Sequence, residues 1–398
     1  MKHNIESMLE TAVRDACFRA EIDDRINEIM KMLDSGFSNS RIRRELERRN
    51  QVNAAFLIEI AQSRISTRGK FSLGDRLWLD HYSARYSTPE IVGTYRAKRI
   101  HGEVIFDIGS GGGMQAIFFS KSNKVIGFER DRIRHLESVL NAMAYGIENV
   151  ELLNKEWPVE TSELTSNAVF FSDPLRPSTA VERRLDDLVP PPEDVMKRLA
   201  GITNKFAFDI PPQTRLDRLP KNAETEYASV NGVLNRLTLY FGDLKETETR
   251  AVILPQGQII SGVRQKMNLT SSQTVEQYIC MVDPAMVYAG LVNKVVETWE
   301  CKFLASDKRR VLLTGKNEPD RSVPGMTYRT LDICDNSTLD TSLKSAGARR
   351  VFPRFEIDPK EYYVLRNELE QNSSGFRDVY IFRVSEKFVL CEKLYNQL

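Results

Sequence analysis

The residues best suited to chemistry in this chain lie in one glycine-rich segment, VIFDIGSGGG, over residues 104–113. Glycines occupy alternate positions after Asp107 in this segment: Gly109, Gly111 and Gly113. Because glycine has no Cβ, such a turn can bend sharply and bring its backbone against a bound molecule. Glu129 follows at the end of the apolar run VIGFE. A carboxylate about 20 residues after such a turn hydrogen-bonds ribose hydroxyls in nucleotide-binding folds. The segment therefore predicts a site for a nucleotide-containing cofactor.

Two cofactors fit this pattern, a dinucleotide and S-adenosylmethionine. A dinucleotide places its pyrophosphate at the N-terminus of the helix after the turn, where the carboxylate of Asp107 would repel it. The same carboxylate suits the cationic amino end of S-adenosylmethionine. The segment resembles the first motif of class I methyltransferases, in which the glycines hold the methionine part. The resemblance implies S-adenosylmethionine as the cofactor, and a dinucleotide site and a purely structural turn stay as alternatives.

A second part of the cofactor site is expected after the third predicted strand, where Glu156 and Trp157 follow Asn154 and Lys155. The resemblance to class I methyltransferases implies that Glu156 accepts a hydrogen bond from the adenine amino group. Trp157 could pack on the adenine face. The alternatives are a surface acid and a core indole.

The fourth predicted strand, residues 168–172, leads into Asp173 and Pro174 and then Leu-Arg-Pro. Many methyltransferases that act on exocyclic amino groups have Asn/Asp-Pro-Pro-aromatic at this point, so we predict that Asp173 and Pro174 are catalytic. The chain lacks the second proline and the aromatic residue, so stacking on a base would have to come from elsewhere. Arg176 could bind a phosphate bidentately or pair with a local carboxylate.

Two further carboxylates are candidates for proton acceptors or substrate orienters. Asp209 lies at the end of the fifth predicted strand, whose carboxyl end would lie beside that of the fourth, and Glu226 comes just before a predicted hairpin. The alternative for each is a structural carboxylate at a strand end. No cysteine lies in the loop after residue 172. C5-methylation of cytosine through a covalent cysteine adduct is therefore not expected.

The elements that must position these residues follow from the hydrophobic pattern. Strand–helix alternation over residues 104–210 predicts βαβ units and a mostly parallel sheet. Thr88 and Pro89 predict the start of a helix, with the threonine as N-cap and the proline at the first helical position. Asn231-Gly232 between two apolar runs predicts a hairpin. The fold class is α/β, with a Rossmann-like class I methyltransferase sheet.

Helical periodicity over residues 5–65 predicts an N-terminal helical region, and mixed strands and helices after residue 245 predict a small α+β domain. We expect three domains, over residues 1–84, 85–245 and 246–398. The first is helical, the second binds S-adenosylmethionine, and the third is the α+β domain.

Six segments in order resemble class I methyltransferases with a C-terminal THUMP-like domain, over roughly residues 85–395: RYSTPEIVGTYRAKR, FDIGSGGG, SDPLRP, FDIPP, EYASVNG and VDPAMVYAGLV. This chain has Pro177 where relatives tend to have a second arginine. The resemblance implies a THUMP-like fold for residues 246–398 and RNA, with tRNA foremost, as the substrate. Methylation of a protein or a small molecule stays an alternative, as does a module that binds S-adenosylmethionine or RNA without turnover.

The third domain is the predicted RNA-binding part because basic residues cluster there, and arginine suits phosphate recognition through its planar fork. The cluster consists of Lys308, Arg309, Arg310, Arg349, Arg350 and Arg354. We take Arg309 and Arg350 as substrate contacts. The alternative is that these side chains are solvated strand ends.

The composition of the chain limits which kinds of protein it can be. The chain is 41% hydrophobic and 28% charged with a net charge of +1, which is typical of a globular protein. Five cysteines without a Cys-x-x-Cys pair and four scattered histidines predict neither a zinc site nor a disulfide framework. The N-terminus lacks an apolar secretory region, and no apolar run approaches the ~18 residues of a membrane span. We expect a cytoplasmic protein without a metal, and the sequence does not fix its oligomeric state.

Overall fold

The computed structural model describes residues 2–49, 53–157, 164–175, 184–307, 310–371 and 375–394. The chain forms two compact units. The first consists of Met1–Ala223 and Thr238–Glu246, and the second consists of Glu224–Leu237 and Thr247–Leu398. The division into domains at residues 84/85 and 245/246 stays a prediction.

The first unit begins with helices: α1 (Lys2–Arg14), α2 (Ala16–Asp34), α3 (Asn39–Arg48) and α4 (Ala54–Ser66). Residues at helical spacing form their common core; in α3, for example, Ile42 and Leu46 are buried while the basic residues around them are exposed. The Ser38 side chain caps α3 by accepting from the backbone N–H of Arg41. The predicted N-terminal helical region is confirmed.

The remaining helices of the first unit surround a parallel sheet: α5 (His81–Tyr86), α6 (Glu90–Arg99), α7 (Met114–Ser120), α8 (Arg132–Ala144) and α9 (Pro192–Arg198). Leu136 and Leu140 of α8 share one apolar core with the N-terminal helices, so that region packs against the part of the unit that carries the sheet.

The sheet of the first unit contains parallel strands: β1 (Val104–Ile108), β2 (Lys124–Phe128), β3 (Val150–Leu153), β4 (Val169–Ser172) and β5 (Phe206–Ile210). Their order is β3-β2-β1-β4-β5. Strands β1, β4 and β5 are buried along their whole length, which their continuous apolar sequences predict for a sheet covered on both faces. The order reverses between β1 and β4, and ligands bind at such a switch point in open α/β sheets.

The second unit begins with β6 (Glu224–Val230), which turns through Asn231 and Gly232 into β7 (Val233–Phe241). Both turn residues have positive φ, 52° and 72°, as a two-residue hairpin turn requires, so the predicted hairpin is confirmed. The last residues of β7, from Thr238 on, belong to the first unit. Two strands and a helix follow: β8 (Thr249–Leu254), β9 (Gln258–Gly262) and α10 (Pro284–Ala289).

The rest of the second unit is a seven-stranded, mainly antiparallel sheet with the order β11-β12-β10-β13-β16-β15-β14. Its strands are β10 (Tyr278–Val282), β11 (Lys302–Ser306), β12 (Val311–Gly315), β13 (Gly325–Cys334), β14 (Ala348–Pro353), β15 (Arg377–Val384) and β16 (Lys387–Lys393). Helices α11 (Leu339–Ser345) and α12 (Tyr362–Glu370) accompany them. This architecture confirms the predicted C-terminal α+β region.

One predicted helix start is wrong by a residue. Helix α6 begins at Glu90 with Pro89 as its N-cap, and Thr88 is buried without capping it. The Glu90 carboxylate accepts from the backbone N–H of Ser72 at 2.6 Å and from the Tyr145 hydroxyl at 3.0 Å. These tertiary contacts fix the start of the helix, so a side-chain cap is not needed there. Short 3-10 helices complete the chain at Gly74–Arg76, Leu216–Arg218, Gly242–Leu244, Val292–Glu297 and Asn336–Thr338.

Candidate active site

The glycine-rich segment forms a tight turn between β1 and α7. The backbone N–H groups of Gly109 and Ser110 both donate to the carbonyl oxygen of Phe128, at 2.9 Å each, which ties the turn to the end of β2. The N–H of Gly113 donates to the carbonyl of Ser110 at 2.9 Å. Gly109, Gly111 and Gly113 have φ values of 73°, 55° and 80°, a region that other residues adopt only with strain.

The glycines of this turn are required for two different reasons. A Cβ built on Gly109 or Gly111 would meet nothing within 4 Å, so the backbone at both positions borders open space that a ligand could fill. A Cβ on Gly113 would lie 2.7 Å from the Cβ of Ser138, so this glycine allows α8 to pack on the turn. The turn thus combines an open side with a packed side.

Asp107, the penultimate residue of β1, is buried, with 2% of its surface exposed. Its Oδ2 atom has no hydrogen-bond partner among the described residues. The pKa of its carboxyl is raised to about 7, mainly by burial and next by the charge of Asp173, with a smaller contribution from Glu129, while Arg96 lowers it. A buried polar atom without a partner is costly, so this carboxyl is suited to a ligand that donates hydrogen bonds or carries positive charge.

A second buried oxygen in the turn has the same property. The hydroxyl of Ser110 has no hydrogen-bond partner within the described part of the chain. It lies 3.3 Å from the position that a Cβ on Gly127 would take. Ser110 therefore offers another polar group to a ligand at the turn.

Glu129 follows β2, and its carboxylate is held in place by two backbone donors. Its Oε2 accepts from the N–H of Gly111 at 2.9 Å, and its Oε1 accepts from the N–H of Asp131 at 2.8 Å. The side-chain amide of Asn154 donates to the Glu129 carbonyl oxygen at 2.9 Å, which ties the end of β3 to it. The acid that the sequence assigned to ribose recognition is thus fixed directly beside the glycine turn.

Glu156 and Trp157 are in different surroundings. The side chain of Glu156 is 73% exposed and lies 3.4 Å from Nη1 of Arg130, which is also exposed, and such surface ion pairs are weak. The half-buried indole of Trp157 packs edge-on against Phe170 of β4, with ring centroids 6.3 Å apart. The adenine roles of both residues stay predictions, and Trp157 has the more fixed position.

Asp173 directly follows β4, next to β1 at the point where the strand order reverses. The hydroxyl of Ser172 donates to the carbonyl of Ile108 at 2.9 Å, which fixes the end of β4 against the end of β1. The Asp173 side chain is exposed and Pro174 is buried. Leu175 exchanges backbone hydrogen bonds of 3.0 and 2.9 Å with Val189. Arg176 and Pro177 lie outside the described residues.

Asp209, at the end of β5, forms a buried ion pair. Nη2 of Arg96 donates to both of its oxygens, at 2.6 and 2.7 Å, and the hydroxyl of Thr238 donates to Oδ1 at 2.7 Å. Arg96 also donates to the Gln115 side chain of α7 at 2.6 Å. The pair of Arg96 and Asp209 therefore joins α6 to β5, and Arg96 also joins α6 to α7. The pattern of the sequence gave no sign of this pairing.

Glu226 belongs to the second unit, on β6, where its side chain is buried and its register partner on β8 is Arg250. The role of Glu226 as a proton acceptor stays a prediction.

Sequence reasoning missed a contact that joins the segment before α5 to the glycine turn. The Asn141 side chain, on α8, donates to the carbonyl oxygens of Gly112 and Trp78 at 2.9 Å each, and its Oδ1 accepts from the N–H of Trp78 at 2.7 Å. A Cβ on Gly112 would lie 2.6 Å from Leu79. This segment is therefore fixed directly on the turn. The pattern of α8 shows Asn141 only as a polar residue on a helix, which is too weak a signal.

The predicted substrate arginines of the second unit are only partly described. Arg350 pairs with Asp378 on the neighbouring strand, with Nε 2.9 Å from Oδ1, and Arg349 lies 3.4 Å from the same oxygen. Arg350 in turn lowers the pKa of Asp378. Lys308 and Arg309 lie outside the described residues. Because Asp378 engages the guanidinium of Arg350, that side chain is less available to bind a phosphate.

The second unit also contains a cavity of about 420 Å³ whose charged lining residues are Arg310, Arg354, Arg383, Asp307 and Glu356. The guanidinium of Arg354 lies over the ring of Tyr380, 5.2 Å from its centroid. Nε of Arg354 has no hydrogen-bond partner among the described residues. The sequence had singled out Arg310 and Arg354 but not Arg383.

The described residues lack two further features. They contain no group of three or more His, Cys, Asp or Glu side chains that could hold a metal ion. None of the helices in these ranges combines the length and apolarity that crossing a membrane would require.

Comparison with known proteins shows the fold. A solved structure described as a putative methyltransferase from Porphyromonas gingivalis W83 superposes with a TM-score of 0.67 and 14% identity, covering 94% of this chain and 99% of the other. This chain therefore shares the Rossmann-like fold of that protein over nearly its whole length. No protein-family model and no curated protein matches it.

Two further solved structures are similar over a smaller part of the chain. A 16S rRNA methyltransferase from T. thermophilus, solved with AdoMet and guanosine, has a TM-score of 0.31 at 14% identity. The superposition covers 40% of this chain and 44% of that protein's chain. An rRNA methylase from Streptococcus thermophilus has a TM-score of 0.28 at 16% identity. The superposition covers 39% of this chain and 95% of that protein's chain.

Proposed function

We propose that this chain is an S-adenosylmethionine-dependent methyltransferase that modifies a base in RNA, with tRNA as the expected class, in the cytoplasm. The observation that carries the proposal is the buried Asp107 carboxyl, whose Oδ2 atom has no hydrogen-bond partner among the described residues, beside a glycine turn with an open side. Asp173 stands at the adjacent strand end, where the strand order reverses. The methyltransferase fold supports this function, since enzymes of the fold bind their ligands at this edge.

The residues at the turn fit S-adenosylmethionine. The Asp107 carboxyl and the Ser110 hydroxyl would accept hydrogen bonds from its cationic amino end, against the open backbone of Gly109 and Gly111. The fixed carboxylate of Glu129 would accept from the ribose hydroxyls. The bound cofactor supplies an electrophilic methyl group on a sulfonium centre. A dinucleotide fits less well, because the acids at the turn would repel a pyrophosphate.

Asp173 and Pro174 are the proposed catalytic residues. The Asp173 carboxylate would accept a hydrogen bond from the methyl acceptor's amino group, which orients the nitrogen lone pair, and would take up the proton that the nitrogen loses. Pro174 has no N–H and a fixed φ, so it keeps the chain after Asp173 in one conformation. Both oxygens of Asp209 are engaged by Arg96 and Thr238, so we assign it a positioning role instead of proton transfer.

The second unit is the proposed RNA-binding part, with a THUMP-like domain over residues 246–398. Three arginines, Arg310, Arg354 and Arg383, line one cavity with only two acids, so the cavity carries a local positive charge. Arginine forks suit phosphate groups. Arg310 lies 3.6 Å from Asp307 and Arg383 lies 3.3 Å from Glu386, which are looser pairs than that of Arg350 with Asp378 at 2.9 Å, so this cavity is a better candidate than Arg350. Arg309 stays a predicted contact.

Calorimetric titration with S-adenosylmethionine tests the cofactor assignment. The wild type should bind, and Asp107→Ala and Gly109→Val should each abolish measurable binding. The aspartate variant removes the polar partner. The glycine variant places a branched side chain at a φ of 73° and into the open side of the turn. Asp24→Asn, an exposed change on α2, is the matched control and should bind like the wild type. Unchanged binding in both site variants would refute the assignment.

A further inference from the structure

Helix α5 exposes large side chains and buries small ones. Tyr82 and Tyr86 are 42% and 50% exposed, whereas Ser83 and Ala84 between them are buried. A helix whose only role is to stabilise the fold would bury its aromatic rings, because they contribute most to a core. The arrangement indicates that the two rings are kept at the surface for contact with another molecule.

The two rings form one continuous surface. Tyr82 and Tyr86 are four residues apart and so lie on the same side of α5, with ring centroids 4.6 Å apart and an interplanar angle of 44°. The guanidinium of Arg134 lies 4.9 Å from the centroid of Tyr82, and that of Arg85 lies 5.3 Å from the centroid of Tyr86. Aromatic rings interleaved with arginines are typical of surfaces that bind single-stranded nucleic acid.

The position of this surface is fixed relative to the candidate active site. Ser83 of α5 packs on Gly112 of the glycine turn, where an added Cβ would lie 3.6 Å from the Cβ of Ser83. Asp80 caps α5 by accepting from the N–H of Ser83 at 2.5 Å, and it pairs with Arg134 at 3.6 Å. Asp173 is close enough for its charge to raise the pKa of Tyr82, after the larger effect of burial and against the effect of Arg134.

We propose that Tyr82 and Tyr86 form the stacking surface for the planar ring of the methyl acceptor, a nucleobase, while Asp173 holds its amino group. This inference rests on the proposed function and extends it to the recognition of the base. It also supplies what the loop after β4 lacks, since no aromatic residue follows Asp173 and Pro174 there. The rings act as positioning residues: they orient the base and take no part in proton transfer.

Steady-state methyl transfer tests this proposal, with labelled S-adenosylmethionine and the small-RNA fraction of a strain that lacks the gene. The Tyr82→Ala/Tyr86→Ala double variant should lower kcat/KM for RNA by about 5- to 150-fold, the range of stacking effects per base. The calorimetric affinity for S-adenosylmethionine should stay within about two-fold. Tyr82→Phe/Tyr86→Phe keeps both rings and should retain most of the activity. Met143→Ala, at an exposed residue of α8, is the control and should match the wild type.

A second readout needs no turnover. A short single-stranded RNA that contains 2-aminopurine should lose fluorescence on binding to the wild type and to the double phenylalanine variant, and much less on binding to the double alanine variant. Wild-type kcat/KM in the alanine variant would overturn the proposal, as would an equal loss in the alanine and phenylalanine variants, because stacking depends on the ring and not on the hydroxyl. No methyl transfer to RNA by the wild type would instead overturn the proposed function, and this inference with it.

Discussion

Asp107 and Asp173 stand at the carboxyl ends of two neighbouring parallel strands, where Asp107 is in register with Phe171, two residues before Asp173. Burial raises the pKa of the Asp107 carboxyl to about 7, and the Asp173 charge is the next largest cause. Two acids at one strand-end edge favour a positively charged or hydrogen-donating ligand between them. An anionic ligand at this place would be repelled.

The first prediction concerns the pH dependence of cofactor affinity. The raised pKa means that Asp107 is mostly protonated in the free protein below pH 7, whereas a cationic amino group binds the ionised form. Affinity should therefore rise by about ten- to thirty-fold between about pH 5.5 and about pH 7.5, with release of a proton on binding. Calorimetry in buffers of different ionisation enthalpy measures both quantities.

Asp107→Asn should remove this pH dependence and weaken binding, and Asp24→Asn should leave it unchanged. Asp173→Asn should shift the midpoint of the rise to lower pH, because it removes a charge that raises the Asp107 pKa. An affinity that is flat with pH in the wild type would contradict the assignment of Asp107 as the ligand of the amino group.

The second prediction concerns stability. Arg96 and Asp209 each have only 1% of their side chain exposed, so Arg96→Met leaves a buried carboxylate without its partner. We expect the free energy of unfolding to fall by about 3–5 kcal/mol. Arg43→Met, in the exposed pair with Glu47 on α3, should cost less than about 1 kcal/mol. Urea denaturation of both variants compares them. A loss of less than about 1 kcal/mol for Arg96→Met would show that the pair does not hold α6 to β5.

The sequence predicted this fold and the conformation of the glycine turn well because both depend on local signals. The glycines of residues 104–113 and the Asn231-Gly232 hairpin specify backbone conformations directly, and apolar runs specify the buried strands. The pairing of Asp209 with Arg96 could not be predicted, because the two residues are 113 positions apart and meet only through the sheet.

Contacts between residues distant in sequence also explain the other differences between the sequence-based expectations and the structure. Arg350 looked like a phosphate contact because its neighbours in sequence are basic, but the parallel register of β14 and β15 places it beside Asp378. Tyr82 and Tyr86 would be taken as core residues by their type. Only the packing of α5 shows that they are exposed.

The third prediction concerns RNA capture by the second unit. Arg310→Gln/Arg354→Gln should weaken the retention of bulk tRNA and reduce the steepness of its salt dependence by about one unit per lost phosphate contact. Arg350→Gln should have a smaller effect, because Asp378 engages that side chain at 2.9 Å, more closely than Asp307 engages Arg310 at 3.6 Å. Filter binding across a salt series measures both quantities. A larger effect of Arg350→Gln than of the double variant would show that RNA contacts β14 and not the cavity.

The fourth prediction concerns catalysis. Asp173→Ala should lower kcat by about 100-fold or more, in the range that positioned acid–base groups contribute, and should leave the affinity for S-adenosylmethionine within a few-fold. Single-turnover kinetics at saturating cofactor measure the chemical step, and calorimetry measures binding. If Asp173→Ala methylates at the wild-type rate, the loop after β4 is structural and the catalytic group lies elsewhere.

Nucleoside mass spectrometry, applied after incubation with labelled S-adenosylmethionine, tests the central claim most directly. The substrate is RNA from a strain that lacks the gene, and the protein is the full chain. We predict that one methylated nucleoside, missing from that RNA, appears after incubation with the wild type and not with Asp173→Ala. Label that enters protein or small molecules while the RNA stays unmodified would contradict the claim that this site methylates a base in RNA.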